Sequence, residues 1–362
     1  DRLDVDLVIL DYRLGRSTGL DVIRLLMTSS INPHVILLSG AERERVMGAV
    51  ELGRAYGLQM LGVLEKPLDA PALLRIVEQL QASLRAVHSG DIRTALERSH
   101  FLLAYQPKFC LSTGRVIGVE ALARWQDPEL GLVPPDRFIS VAEKDGQIIP
   151  LTWQLVEQAL AQQYRWRREG IDLDMAINIS PAVLETDDFL PQFLRRLKAH
   201  DVTPGSLTLE LIETRGIRDM GHAIAQLSCL RDLGFSIAID DFGTGNASML
   251  QLYRLPFTQL KIDRAFVADC TDDDKAESII QMVVELARRL GLDVVAEGVE
   301  TLEQGRLLKR AGCHAGQGYF FSRPLYADRF EAWYGNFGQQ LPDKEGISWH
   351  TMQRFIQQCH PT

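Results

Sequence analysis

Residues 236–245 read SIAIDDFGTG, an apolar strand that ends in two adjacent acidic residues and a glycine-rich loop. Two unit charges about 4 Å apart repel each other by roughly 4 kcal/mol at an effective dielectric constant near 20. The pair Asp240 and Asp241 therefore indicates bound cations at the end of this strand. A plain turn, with aspartates that accept hydrogen bonds from the loop amides, is the alternative.

Strand patterns recur on both sides of this stretch, and most are separated by helical patterns. Strands that alternate with helices in this number predict a (β/α)8 TIM-like barrel over residues 101–335. The eight strand candidates are FLLAYQPKF, VIGVEALAR, MAINIS, LTLELIE, SIAIDD, QLKID, VVAEGV and GQGYFF.

Residues 1–85 show a second pattern, in which short apolar runs such as VDLVIL and HVILLSG alternate with amphipathic helices. This alternation predicts a doubly wound α/β domain with a parallel sheet. We expect a linker helix over residues 86–100 and a C-terminal helical extension over residues 336–362.

Composition excludes several classes of protein. The chain of 362 residues has a net charge of −9, which argues against binding of a nucleic-acid polymer through a basic surface. No apolar run approaches the roughly 20 residues of a membrane span. The five cysteines form no CxxC pair, so we expect a reducing, cytoplasmic setting. The eight histidines form no HxH or HExxH group, so a histidine-based zinc site is not expected.

Polar residues recur at the ends of the predicted barrel strands, where barrel enzymes carry their active sites. A single residue of this kind fits a solvated strand end or a helix cap, but the recurrence predicts one shared site. The residues are Glu120, Asn178, Glu210, Glu213, Asp240, Asp241, Lys261, Asp263, Glu297 and Glu300.

The ligand types suggest a chemistry. Carboxylates and one amide oxygen, without His or Cys, are hard oxygen donors that favour Mg²⁺ or Mn²⁺ over zinc. Adjacent aspartates suit two ions about 3.5–4 Å apart, with one carboxylate bridging them. Because two-metal sites typically hydrolyse phosphate esters, the residues alone predict metal-dependent phosphoester hydrolysis.

The motifs VEALARW, INIS, LELIET, IDDFGTG, LKIDR, AEGVE and GQGYFF follow one another in the order of the EAL-type cyclic-di-GMP phosphodiesterases. The chain resembles this family over roughly residues 91–335. The resemblance implies a barrel with one strand antiparallel to its neighbours. It also implies hydrolysis of one phosphodiester of cyclic di-GMP (c-di-GMP) to pGpG with two Mg²⁺ or Mn²⁺ ions, in a homodimer.

The resemblance also implies a role for each matching residue. Glu297 is a candidate base or water ligand, Lys261 steadies the attacking hydroxide, and Glu213 anchors the loop after the fifth strand. Asp240 bridges the two ions, and Asp241 binds the second ion. The first ion is held by Glu120, Asn178, Glu210 and Asp240. The positions on the substrate side are Gln106, Arg124, Asp263, Glu300 and Gln317.

The loop after Gly245 departs from the family pattern. The family continues DFGTG with Tyr-Ser-Ser, whereas this chain has Asn246, Ala247 and Ser248. Since that loop couples metal binding to the family's dimer contact, a receptor that binds c-di-GMP without cleaving it is the alternative function. A lyase acting on a phosphorylated substrate, with Lys261 as its base, is a third hypothesis that the motif order does not fit.

Residues 1–85 resemble a response-regulator receiver domain. Asp11 ends the LVIL strand at the position of the phosphate-accepting aspartate, Ser39 matches the switch hydroxyl, and Lys66 matches the phosphate-pairing lysine. This implies phosphorylation of Asp11 by a sensor histidine kinase, with regulation of the barrel. The receiver family's first strand, with its acidic pair, is not in this sequence, and Val63 stands where an aromatic residue is usual. An ordinary α/β domain is the alternative.

Overall fold

The computed structural model describes residues 5, 7–14, 17–27, 33–40, 46–50, 58–84, 86–211, 217, 219–243 and 249–339. These fall into two compact units, one from the residues up to Ala86 with Pro128–Gly131, the other from Val87–Asp127 with the residues from Leu132 onward. Among the helices of the described residues, none is both long enough and apolar enough to cross a membrane.

The first unit is a small parallel sheet with helices, as its alternating pattern predicts. Three parallel strands lie in the order β1, β4, β5. Apolar side chains such as Ile23, Val35 and Leu37 form its buried core. The elements are β1 (Leu7–Asp11), β2 (Arg13–Leu14), β3 (Ser17–Thr18), α1 (Gly19–Met27), β4 (His34–Ser39), β5 (Gln59–Glu65) and α2 (Ala70–Leu84).

The second unit alternates strands with helices. Its strands are β6 (Phe101–Cys110), β7 (Val116–Asp127), β8 (Gly131–Val133), β9 (Asp174–Ile179), β10 (Leu207–Leu211), β11 (Ser236–Phe242), β12 (Gln259–Ile262), β13 (Asp293–Ala296) and β14 (Ala315–Gly316). Its helices are α3 (Ser89–Glu97), α4 (Pro135–Lys144), α5 (Ile148–Arg168), α6 (Pro181–Leu184), α7 (Phe189–Ala199), α8 (Met220–Asp232), α9 (Met249–Arg254), α10 (Arg264–Ala268), α11 (Asp274–Leu290), α12 (Leu302–Ala311) and α13 (Ala327–Gln339), with a short 3₁₀ helix at Pro204–Ser206.

Eight of these strands close into a barrel, which confirms the predicted fold. The order is β6, β14, β13, β12, β11, β10, β9, β7, and the pairing of β7 with β6 closes the ring. Strand β6 runs antiparallel to both of its neighbours, as the family resemblance implies, and the other barrel pairs for which register is described are parallel. The short strand β8 lies beside β7, outside the ring.

The predicted strand GQGYFF is wrong. The eighth strand consists of Ala315 and Gly316, and the chain then turns. Gly318 has a φ of +156°, and the amides of Phe321 and Ser322 bond back to its carbonyl oxygen at 3.0 and 3.1 Å. These local bonds replace the ladder that a longer strand would need.

Helix α13 lies across the predicted boundary between residues 335 and 336. Its aromatic side chains Phe330, Trp333 and Phe337 are buried, and Trp333 and Phe337 contact the Phe109 ring of β6. The predicted helix further along the tail lies outside the described residues.

Helix α12 begins with a capping box. The Thr301 hydroxyl accepts a hydrogen bond from the Gln304 amide at 3.1 Å, and the Gln304 side chain accepts from the Thr301 amide at 3.0 Å. The helix ends at Gly312, whose φ of +98° suits glycine. These caps satisfy backbone groups that the helix itself leaves free.

We expect Thr301→Ala to lower the free energy of unfolding by about 1 kcal/mol, because the first turn of α12 loses its side-chain acceptor. Urea unfolding followed by circular dichroism measures the change. Thr301→Ser keeps the hydroxyl and should unfold like the wild type. Equal stability of the alanine variant and the wild type would contradict this role of the cap.

Candidate active site

The barrel brings acidic side chains from separate strands to one end. Glu120 lies on β7, Glu210 on β10 and Asp240 on β11, and each offers an oxygen within 4.8 Å of the others. Glu210 stands beside Asn178 of β9 in the parallel register. Strands that share a direction expose their carboxyl ends at the same rim, so polar residues near those ends converge.

The ammonium group of Lys261 lies in the middle of this cluster. Its Nζ atom is 2.6 Å from Glu297 Oε1 and 2.7 Å from Glu210 Oε2. The same atom is 3.2 Å from Asp240 Oδ2 and 3.4 Å from Glu120 Oε2. Burial disfavours the charge on Lys261, but the surrounding carboxylates outweigh it and hold its pKa well above the usual value. One buried cation thus stabilises four carboxylates.

A second buried lysine contacts the cluster. Lys108 of β6 places its Nζ atom 2.5 Å from Glu210 Oε1, so each oxygen of Glu210 has its own ammonium partner. Sequence reasoning missed Lys108, although it belongs to the predicted strand FLLAYQPKF. Its partner is 102 residues away in the chain, so no local pattern signals the contact.

Asp240 and Asp241 face the same site because their strand is irregular. In a regular strand, successive side chains point to opposite faces. Between Ile239 and Phe242, β11 carries one more residue than its partner β12, which is a β-bulge. Asp241 takes a φ of +52°, and its amide donates to Asp240 Oδ1 at 2.9 Å. The bulge lets both carboxylates serve one site.

The oxygens fall into two overlapping groups. Glu120, Glu210 and Asp240 form one, and Asp240, Asp241 and Glu297 form the other. Asp240 is common to both groups. Burial, together with the charges of Asp240 and Asp263 and a hydrogen bond to Asp263, raises the pKa of Asp241 to about 6. This arrangement fits two cations that share one carboxylate.

The carboxylates differ in how readily they hold a proton. Burial raises the pKa of Glu120, but Lys261, Lys108 and two amide donors outweigh it and lower that pKa to about 2. Burial raises the pKa of Glu210 and Glu297, although Lys261 opposes the shift at both residues. The raised pKa makes Glu297 a candidate proton acceptor within the group of Asp240, Asp241 and Glu297.

Two amide side chains leave oxygens at the site without partners. Asn178 donates from Nδ2 to Glu120 Oε1 at 3.1 Å, and Gln317 donates from Nε2 to Glu120 Oε2 at 2.5 Å. The remaining oxygens, Asn178 Oδ1 and Gln317 Oε1, are buried and have no hydrogen-bond partner. Buried acceptors normally find a donor or a cation. The orphaned Asn178 oxygen and the oxygen-rich set therefore fit a Mg²⁺-type or Mn²⁺-type ion.

A cleft of about 230 Å³ opens beside the cluster. Sequence reasoning missed Arg264 and Tyr319 as lining residues, although both lie in quoted motifs, LKIDR and GQGYFF. An arginine suits an anionic ligand and a partly exposed tyrosine ring suits an apolar or aromatic one. The lining residues are Gln106, Glu120, Leu122, Asp240, Arg264, Glu297, Gly298, Glu300, Gln317, Gly318 and Tyr319.

The predicted substrate-side residues take different positions. Gln106, Glu300 and Gln317 line the cleft, and Gln106 also donates to the Ser322 carbonyl at 3.1 Å. Asp263 instead caps α10, where its side chain accepts from the Ala265 amide at 2.8 Å. Arg124 is not among the lining residues and donates to the Ala123 carbonyl at 2.7 Å. Glu213 and the residues 246–248 lie outside the described residues.

Two glycines keep the loops of this rim close together. A Cβ atom on Gly298, whose φ is +67°, would lie 2.4 Å from Arg264 Cβ. A Cβ atom on Gly318 would lie 2.2 Å from the backbone of Val299. Val299 donates to the Gln317 carbonyl at 3.0 Å, so this packing fixes Glu297 relative to Gln317.

The first unit has its own acidic position. Asp11 ends β1, and the Lys66 ammonium donates to its carboxylate. This bond, together with the Arg13 amide, lowers the pKa of Asp11. Ser39 ends the neighbouring strand β4 and is buried.

Residues 89–324 match the EAL domain family. The chain is similar to the cyclic di-GMP phosphodiesterase PA2567 of Pseudomonas aeruginosa, with 42% identity over 233 residues, which is 64% of this chain and 40% of that protein. It is also similar to the cyclic di-GMP phosphodiesterase RocR of the same species, with 32% identity over 336 residues, which is 90% of this chain and 86% of RocR. The chain thus spans about two fifths of PA2567 and most of RocR.

A solved structure, PaMucR phosphodiesterase in its c-di-GMP complex, superimposes with a TM-score of 0.63 at 39% identity. The match covers 67% of this chain and 98% of that one. The EAL protein from Listeria monocytogenes EGD-e matches with a TM-score of 0.62 at 30% identity, over 69% of this chain and 99% of the other. On the sequence match and the shared barrel, this chain belongs to the EAL domain family.

Proposed function

We propose that this protein is a c-di-GMP phosphodiesterase that hydrolyses one phosphodiester bond of the cyclic dinucleotide to give linear pGpG. The proposal rests mainly on two sets of three acidic residues at the mouth of the barrel. Asp240 belongs to both sets. The relatives PA2567 and RocR, both named cyclic di-GMP phosphodiesterases, support the substrate.

Two Mg²⁺ or Mn²⁺ ions are the proposed cofactors. Glu120, Asn178, Glu210 and Asp240 would hold one ion, and Asp240 and Asp241 the other. Such ions make bound water more acidic and offset negative charge on phosphoryl oxygens. Two observations support this assignment. The bulge at Asp240 turns both aspartates of β11 towards the cluster, and the Asn178 oxygen has no hydrogen-bond partner and is available as a metal ligand.

Glu297 and Lys261 are the proposed proton-handling pair. Water attacks phosphorus and gives one proton to Glu297, the bond between phosphorus and the ribose oxygen breaks, and that oxygen takes up a proton from solvent water and leaves as a hydroxyl. Glu297 suits the role of base because its pKa is raised, chiefly by burial. Lys261 keeps its charge and orients Glu297 from 2.6 Å. Glu213, by family resemblance, would anchor the loop after β11, the fifth strand of the barrel.

The substrate would lie in the cleft beside the carboxylates. Gln106, Glu300 and Gln317 line it, and we add Arg264 as a phosphate partner and Tyr319 as a surface for a guanine base. Arg124 stays in the proposal as a more distant substrate residue. Asp263 acts through Asp241, to which it is hydrogen bonded.

The first unit is proposed to be a receiver domain that regulates the barrel, with a sensor histidine kinase as partner. Asp11 at a strand end, its Lys66 partner and the three parallel strands support this. The RocR match covers 90% of this chain and therefore includes part of residues 1–88, so part of the first unit is similar to that phosphodiesterase as well. A charge change at Asp11 would bias a two-state element. We also propose a homodimer, as the family resemblance implies.

Asp240→Asn should reduce pGpG formation from c-di-GMP in Mg²⁺ by at least about 10²-fold. The reason is that Asp240 is the metal ligand common to the two proposed ion sites. Chromatography of the nucleotides over time measures it. Asp187→Asn changes an exposed aspartate on the same barrel unit and should leave turnover unchanged.

Turnover by Asp240→Asn at the wild-type rate would contradict the metal assignment. Tight c-di-GMP binding by the wild type, without product after hours in Mg²⁺ or Mn²⁺, would instead support the receptor function.

Acetyl phosphate should label the wild-type protein at Asp11, and Asp11→Ala should lose the label. Lys66→Met should alter labelling, because it removes the ammonium partner of the carboxylate. Phosphate-affinity electrophoresis of the three proteins measures the label. Equal labelling of wild type and Asp11→Ala would remove Asp11 from the regulatory proposal.

A further inference from the structure

We infer that Arg323 is a positioning residue for the substrate, because it holds the Tyr319 ring as a fixed surface on which a guanine base stacks. The inference deepens the proposed function and rests on it. Arg323 itself belongs to none of the catalytic, metal-binding or substrate-side sets described above.

Tyr319 is an exposed residue on a fixed stretch of backbone. It is 49% exposed and lines the cleft beside the carboxylates. The next two residues, Phe320 and Phe321, are buried, and the Phe320 amide donates to the Val299 carbonyl at 2.9 Å. The backbone at Tyr319 is therefore held in place. A half-exposed side chain still needs a contact of its own if its ring is to keep one orientation, because ordering it costs conformational entropy.

Arg323 supplies that contact. Its guanidinium carbon lies 4.2 Å from the centroid of the Tyr319 ring, within the range of a cation–π interaction. Arg323 is exposed, and its guanidinium group forms no ion pair with a carboxylate of the described residues. The contact with the ring is therefore not the by-product of an ion pair that places the arginine there for another reason.

The two faces of the Tyr319 ring then have different roles. Arg323 covers one face and is not among the residues that line the cleft, whereas Tyr319 is. The opposite face is consequently the one left for a ligand in the cleft. A nucleobase stacks on an aromatic side chain through its own π face. Because Arg323 orders the ring before the substrate arrives, less conformational freedom is lost on binding.

A direct bond from Arg323 to a substrate phosphate is the competing explanation, since arginine often binds phosphate through paired hydrogen bonds. That bond would not need the Tyr319 ring. Loss of Arg323 would therefore weaken substrate binding by the same factor with and without the ring. An effect that acts through the ring disappears once the ring is removed, so a double-mutant cycle separates the two explanations.

The experiment measures KM and kcat for c-di-GMP hydrolysis by the full chain in Mg²⁺. Arg323→Met should raise KM about threefold and leave kcat unchanged, because the contact acts on substrate binding. In a Tyr319→Ala background, whose own KM should be raised about fivefold or more, the same change should leave KM unaltered. Arg323→Lys keeps the charge without the planar group, so its KM should lie between those of the wild type and Arg323→Met. Arg310→Met changes an exposed arginine in the last turn of α12 and should keep the wild-type KM.

An equal rise of KM in both backgrounds would overturn the inference in favour of a direct phosphate contact. A wild-type KM in Arg323→Met, or a lower kcat at unchanged KM, would overturn it too. These results leave the proposed hydrolysis standing. Absence of pGpG formation by the wild type would overturn the proposed function itself, and the inference with it.

Discussion

The ion pairs of Lys261 are the constraint on which the barrel mouth depends. Its ammonium group lies within 3.4 Å of oxygens from four carboxylates, which come from three strands and the residue after a fourth. Without that cation, these buried negative charges would repel one another or take up protons. Loss of one partner from a buried ion pair costs about 3–5 kcal/mol. The folded rim and the proposed chemistry therefore require the same residue.

Within the described part of the chain, the ammonium groups that contact the cluster do not balance its charge. Five carboxylates, those of Glu120, Glu210, Asp240, Asp241 and Glu297, face two ammonium groups, so up to three negative charges remain. The raised pKa of Asp241, Glu210 and Glu297 is one consequence of this excess together with burial. Divalent cations would balance the remaining negative charge, and they would bind the oxygens that have no hydrogen-bond donor.

Local patterns were enough to predict the barrel and the acidic rim. Parallel strands keep their polar ends at one level, so Glu210 and Asn178 could be expected together before their pairing was known. The contact between Lys108 and Glu210 could not be predicted from the sequence, because it forms only when the barrel closes. The bulge at Asp240 was equally hidden, since a period of two cannot show where a strand gains a residue.

The reversed strand β6 has a mechanical consequence. Phe101, at its start, pairs with Trp125 near the end of β7, and Cys110, at its end, pairs with Ala315 at the start of β14. The polypeptide therefore enters the ring at the acidic mouth, whereas an all-parallel barrel would be entered from the opposite side. Along β6, the chain that leaves helix α3 reaches Gln106 before it reaches Cys110 at the opposite end of the barrel. Helix α3 is thus connected to the acidic mouth of the barrel through the first few residues of β6.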